Sequence, residues 1–114
     1  PRSVTALFAP LADQVPPRLR ALPSTGVAGS PVRLRYRVSD DSGQSREWAT
    51  VSAGSRRIGA VKGLLDVADP DALFNFLTWR APATVAPGGY TFCVWASDPS
   101  GNVAPRSCST LRLS

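Results

Sequence analysis

Along "VRLRYRV", residues 32–38, apolar and basic side chains alternate: Val32, Leu34, Tyr36 and Val38 fall on one side, Arg33, Arg35 and Arg37 on the other. Successive strand residues face opposite sides of a sheet, so this stretch predicts a half-buried strand. The same period of two recurs in "PPRLRAL", where Leu19 and Ala21 oppose Arg18 and Arg20 and the Pro16-Pro17 pair marks the entry to an edge strand. Further strands are predicted at "REWATVSA", around "RRIGAV", at "ALFNFLTWR", at "GYTFCVWAS" and at "PRSCSTLRL". Pro and Gly punctuate the chain about every ten residues, as in all-β sandwiches of about seven strands. The segment "KGLLDVADPDAL" has no clear period and reads as a loop with at most one helical turn.

The alternation also predicts pairing. "PPRLRAL" is expected to fold back antiparallel on "VRLRYRV" through "PSTGVAGSP", which places Arg18, Arg20, Arg33, Arg35 and Arg37 on one outer face. Like charges opposite one another cost stability unless something offsets them. Two readings stay open: a solvated face with carboxylate neighbours such as Glu47, or a face that binds an anion or a subunit. No aromatic residue interleaves with this stripe in the sequence, which argues against single-stranded nucleic acid binding by base stacking.

The last hairpin can be registered by parity. Tyr90, Phe92, Val94 and Ala96 share the core face, so Cys93 and Trp95 point outward. Folding about Ser100-Gly101 sets Asp98 opposite Val103, Trp95 opposite Arg106 and Cys93 opposite Cys108. Leu111 and Leu113 then face the core, and Cys108 lies outward on the same side as Cys93. Directly opposed residues on one sheet face have Cβ atoms about 4.5–5.5 Å apart, close to what a disulfide needs. The spacing does not suit a CxxC redox or metal motif. A Cys93–Cys108 disulfide implies an oxidising compartment, and Trp95 opposite Arg106 suggests a cation-π pair beside it.

The run "GGYTFCVWASDPSGNVAPRSCSTLRL", with "PPRLRAL" and "VRLRYRVSDDSG", resembles bacterial Ig-like surface domains, whose repeats often end in G-x-Y-x-F-x-V-x-A-x-D-x-x-G-N. Gly88 or Gly89, Tyr90, Phe92, Val94, Ala96, Asp98, Gly101 and Asn102 carry that pattern here. The resemblance covers residues 16–114 and implies an Ig-like antiparallel β-sandwich serving as spacer, adhesin or filament subunit. One departure is that antibody-like domains link their two sheets with a disulfide, whereas this pair would staple neighbouring strands of one sheet.

Composition narrows the chemistry. The chain has 114 residues, the size of one domain, and a net charge of +5 in which Lys62 is the single lysine among thirteen basic residues. No apolar run is long enough to form a membrane-spanning helix, so no membrane insertion is expected. The sequence lacks Met and a signal-peptide pattern, as expected of a trimmed secreted chain or a part of a longer one. It also lacks His, which removes Ser-His and Cys-His arrangements and His-based zinc sites, so no enzyme, metal or cofactor is expected. Asp66, Asp69 and Asp71 in "DVADPD", and Asp40 and Asp41 in "SDDSG", match no full calcium loop and read as turn formers. Trp48, Trp79 and Trp95 would make a sugar-stacking platform only if brought together, and Trp48 has no obvious aromatic neighbour in the sequence.

Residues 1–14 form an arm before the sandwich of residues 15–114. Val4, Ala6 and Phe8 alternate with Thr5, Leu7 and Ala9, a strand apolar on both sides that needs a partner. It is expected either to complete its own sheet or to insert into a neighbouring subunit, with Val4, Ala6, Leu7 and Phe8 as the interface. In "ALFNFLTWR", Leu73, Leu77 and Trp79 oppose Phe74 and Phe76, so neither face is plainly polar, as if both were covered. The expected function is that of an extracellular, non-catalytic structural protein that joins copies of itself into a surface assembly. The alternative is a monomeric adhesion or spacer module; Trp95, Arg106, Arg33, Arg35 and Arg37 are the candidate ligand-binding residues, and a surface glycan is a second candidate partner besides copies of the chain. Nucleic acid is not an expected partner.

Overall fold

A computed structural model describes residues 15–68 and 74–114. The described residues form strands and no helix: β1 (Arg18–Ala21), β2 (Ser24–Gly26), β3 (Pro31–Ser39), β4 (Gln44–Ala53), β5 (Arg56–Lys62), β6 (Asp66–Val67), β7 (Asn75–Arg80), β8 (Gly88–Ser97) and β9 (Ser107–Leu113). They make two facing sheets. One has the order β1-β3-β7; the other runs β2-β9-β8-β4-β5, with β6 paired to β4. The expected arm, with Val4, Ala6, Leu7 and Phe8, lies outside the described residues, as do Leu73, Asp69 and Asp71.

The seven expected strands are all present, and the period of two sets their faces. Val32, Leu34, Tyr36 and Val38 of β3 are buried against Ala49 and Val51 of β4, Phe92, Val94 and Ala96 of β8, and Leu111 and Leu113 of β9. Each buried Val, Leu or Phe side chain among them contributes about 1.5–3 kcal/mol through burial. Leu77 and Trp79 of β7 close the core from the first sheet. Trp79 lies so close to β5 that a Cβ on Gly59 would sit 2.6 Å from its Nε1.

β1 and β3 pair antiparallel as expected, with Arg20 opposite Arg37 and Leu19 opposite Val38. The connection is more than a turn, because it contains β2. After Ala21, Leu22 N–H still donates to the Arg35 carbonyl. Pro23 has no N–H to continue the ladder. The buried Ser24 takes over: its Oγ accepts the Arg35 N–H at 3.0 Å and donates to the Leu22 carbonyl. The chain thereby leaves the first sheet, and Ser24–Gly26 pairs parallel with Leu111–Leu113 of β9. Gly26 is needed at this crossing, since a Cβ there would meet Val32 Cγ2 at 2.8 Å.

"KGLLDVADPDAL" contains the short strand β6, with Asp66 opposite Ser45 and Val67 opposite Gln44. The last hairpin follows the expected register from Gly88↔Leu113 through Cys93↔Cys108 to Val94↔Ser107. Beyond that point it slips by one residue: Val103 bridges Ser97 rather than Asp98. The slip accommodates the loop. Asp98 N–H donates to the Asn102 carbonyl, Gly101 N–H donates back to the Asp98 carbonyl, and Gly101 takes φ 91°, open to glycine at little cost.

Candidate functional site

Three side-chain groupings stand out, and the first is the outer face of β8 and β9. Cys93 and Cys108 are directly opposed and joined, with Cα atoms 4.0 Å apart. Two residues on, Trp95 meets Trp48 of β4 across the β4–β8 ladder. Their rings are parallel within 4° with centroids 6.4 Å apart. The expected Trp95–Arg106 pair does not form: the ladder ends at Val94↔Ser107, and Trp48 takes the place beside Trp95. Trp48 therefore has an aromatic neighbour that its sequence context does not show. Trp79 is in the core, so a platform of three tryptophans is not built. Trp48 also borders a shallow cavity of about 450 Å³, lined with it by Arg46, Glu47, Lys62, Gly63 and Ser97.

The second grouping is the outer face of β1, β3 and β7. Arg18, Arg20, Arg33 and Arg37 are exposed and Arg35 is half-buried. β7 lies alongside with Arg35 opposite Phe76, Arg33 opposite Thr78 and Pro31 opposite Arg80. Aromatic side chains do interleave with the stripe, supplied by a strand about 40 residues away: Arg33 Cζ lies 4.5 Å from the Phe76 ring centroid, and Arg35 Cζ lies 5.1 Å from that of Phe74. Arg35 also donates to the Pro23 carbonyl at 2.7 Å. The two-sided apolarity of "ALFNFLTWR" thus has two causes, the core on one side and guanidinium groups on the other. Phe76 remains 43% exposed beneath its arginine.

Glu47 does not serve this stripe. It is 7% exposed and points into the sandwich, where Tyr36 Oη donates to its Oε1 at 2.8 Å and Ser45 Oγ donates to its Oε2. Burial, the adjacent Glu47 charge and this hydrogen bond push the Tyr36 phenol far above its ordinary range. A buried carboxylate held by two hydroxyls is satisfied, and the cluster ties β3 to β4 across the core.

Asp40, Asp66 and Asp98 accept local hydrogen bonds. Asp40 Oδ2 accepts Ser42 N–H at 3.0 Å, and Asp66 Oδ1 accepts Val67 N–H at 2.7 Å. Asp98 accepts from both the backbone N–H and the side-chain amide of Asn102 at 2.9 Å. Burial pushes the Asp98 carboxyl up, but hydrogen bonds from Asn102, Ser100 and Gly101 outweigh it and hold the group below its ordinary value. No cluster of three or more metal-ligating side chains occurs among the described residues.

The fibronectin(III)-like modules of Clostridium thermocellum CbhA match with a TM-score of 0.52 and 19% identity over 87% of this chain and 47% of that one. The fold is an Ig-like β-sandwich. This chain spans about half the length of that structure. The PKD domain of an M14-like peptidase from a Thermoplasmatales archaeon also aligns, at 13% identity over 88% of this chain and 97% of that one, with a TM-score of 0.46. No family model matches the sequence, and no curated protein matches it. At such identities the likeness concerns the fold, as the resemblance in "GGYTFCVWASDPSGN" implies.

Proposed function

We propose that this Ig-like sandwich is a non-catalytic, extracellular interaction protein that works by surface contact. The observation that carries the reading is the Cys93–Cys108 staple, a directly opposed pair across two adjacent strands of the outer sheet face. Disulfides persist in oxidising compartments. The surfaces such a protein offers are β-sheet faces and strand edges. Counting free thiols in unreduced, secreted material tests the habitat: the expected value is zero, and two free thiols would refute it.

The finer reading is a subunit joined to copies of itself through residues 3–9 of the arm. It is supported by the two-sided apolar alternation of Val4, Ala6, Leu7 and Phe8 and by the position of β7, which ends its three-stranded sheet among the described residues. A strand inserted at such an edge of another copy is a head-to-tail contact that propagates into a filament. Size-exclusion of the full chain against a form lacking residues 1–12 is the test. Concentration-dependent oligomers lost on truncation are expected. A monomer at high concentration, unchanged by truncation, would leave the alternative, a monomeric adhesion or spacer module.

A further inference from the structure

The outer face of β1, β3 and β7 has an electrostatic composition that folding does not call for. Arg18 and Arg20, then Arg33, Arg35 and Arg37, then Arg80 all lie on it, and its other outward positions are Ser39, Phe74, Phe76, Thr78 and Pro31. Among the described residues, no carboxylate shares the face. The nearest described acids, Asp40 and Asp41, follow the end of β3 and line a hollow with Arg18. Arg20 stands directly opposite Arg37, an arrangement that destabilises an antiparallel pair. A solvated face would relieve such repulsion with a Glu or Asp partner, and the chain's one Glu is buried in the core instead.

The arginines are also arranged. Alternate residues of β3 repeat at about 6.7 Å, giving a row of cations at regular spacing, with a second row on β1 beside it. Between the rows, Arg18, Leu19, Arg20, Arg37, Val38 and Ser39 line a shallow depression of about 320 Å³. Arg33 and Arg35 are steadied by the Phe76 and Phe74 rings. A guanidinium held on an aromatic face can turn its N–H edge to the two oxygens of a carboxylate, as Arg33 can, whereas Arg35 already commits one N–H to the Pro23 carbonyl. The flat, open shape suits an extended polymer rather than a small molecule.

We propose that this face binds an acidic polysaccharide, its arginine rows meeting successive uronate carboxylates. The proposal rests on the extracellular reading above, which puts such polymers within reach of the protein. A single-stranded nucleic acid fits less well, because the two phenylalanines that would stack bases already carry arginines on their rings.

The test measures binding of the full chain to polygalacturonate, with neutral pullulan and oligothymidylate as comparisons. Polygalacturonate is expected to bind, pullulan not, and the affinity to fall as salt is added. The variant R18Q/R20Q/R37Q is expected to bind about tenfold more weakly. These three side chains are exposed and their loss removes the Arg20–Arg37 opposition, so the variant should melt no lower than the parent, which separates lost binding from lost fold. The charge-matched control R56Q/R57Q/R112Q, taken from exposed positions on the other sheet, is expected to bind as the parent does. Equal losses in both variants, no binding to polygalacturonate at low salt, or tighter binding of oligothymidylate at the same salt would each overturn the proposal. Any of these leaves the thiol count and the oligomer test untouched, so the proposal and the extracellular reading fail separately.

Discussion

Replacing Tyr36 by Phe removes one hydroxyl and little else, since the ring stays in the core. The hydroxyl donates to Glu47 Oε1 at 2.8 Å, and both residues are buried, at 3% and 7% exposure. Its loss leaves one oxygen of a buried carboxylate without a donor, while Ser45 continues to serve the other. A hydrogen bond to a charged group contributes about 1.5–3 kcal/mol, and an orphaned buried acceptor forfeits that amount in full. For a domain of this size about 2 kcal/mol corresponds to a fall in Tm of about 8 °C. Urea titration at neutral pH should show a lower midpoint at unchanged slope. The same change alters the alkaline limb. Burial, the Glu47 charge and the hydrogen bond all raise the Tyr36 pKa in the folded state. The folded chain therefore holds this proton more tightly than the unfolded one. The associated stability is complete below pH about 10 and is lost as pH rises beyond it toward the folded pKa. Tyr36→Phe should flatten that alkaline loss. In an E47Q background the cost of Tyr36→Phe should fall to about 1 kcal/mol, because the acceptor is neutral. A Tyr36→Phe variant within about 0.5 kcal/mol of the parent, with the same alkaline slope, would refute the reasoning from a buried Tyr36–Glu47 hydrogen bond.

Replacing Cys93 and Cys108 together by Ala should cost about 3 kcal/mol in a denaturant titration, from the release of a 15-residue closure, and an unchanged midpoint would contradict that. Gly59→Ala should cost about 1–3 kcal/mol and shift the emission of the buried Trp79, because the new Cβ has 2.6 Å to the indole Nε1. Trp95→Ala should cost only about 1 kcal/mol and abolish the near-ultraviolet circular dichroism coupling to Trp48, whereas Trp79→Ala should cost about 3–5 kcal/mol. The Asp98 carboxyl titrates lower in the folded chain than in the unfolded one, so the stability it lends is present above pH about 4 and lost as pH falls through its folded pKa. The Asn102 amide, which donates to the Asp98 carboxylate, should lose protection relative to its intrinsic exchange rate on acidification, and Asp98→Asn should remove that dependence.

Much of the molecule could be read along the chain, because a period of two both marks a strand and sorts its faces. "VRLRYRV" announced its buried and basic sides, and the Cys93↔Cys108 register followed from parity about a short loop, where sequence neighbours are also spatial neighbours. The arginine stripe was legible for the same reason. What lay beyond the sequence depends on which distant strands become partners. β3 pairs with β7, and only that pairing lays Arg33 and Arg35 over Phe76 and Phe74. β4 pairs with β8, and only that places Trp48 beside Trp95 and withdraws Arg106 from the role parity suggested. β2 escaped notice because three residues are too few to show a period, and its place is set by Pro23 and Ser24 diverting the chain to β9. Glu47 looked like a surface charge because nothing local distinguishes a solvated carboxylate from one whose donors arrive from another strand. The alternation of side chains, a local property of the backbone pleat, thus determined strands, faces and the staple. The sandwich itself, by choosing long-range neighbours so as to bury one face of each sheet, decided the tryptophan pair, the arginine–phenylalanine rows and the buried carboxylate.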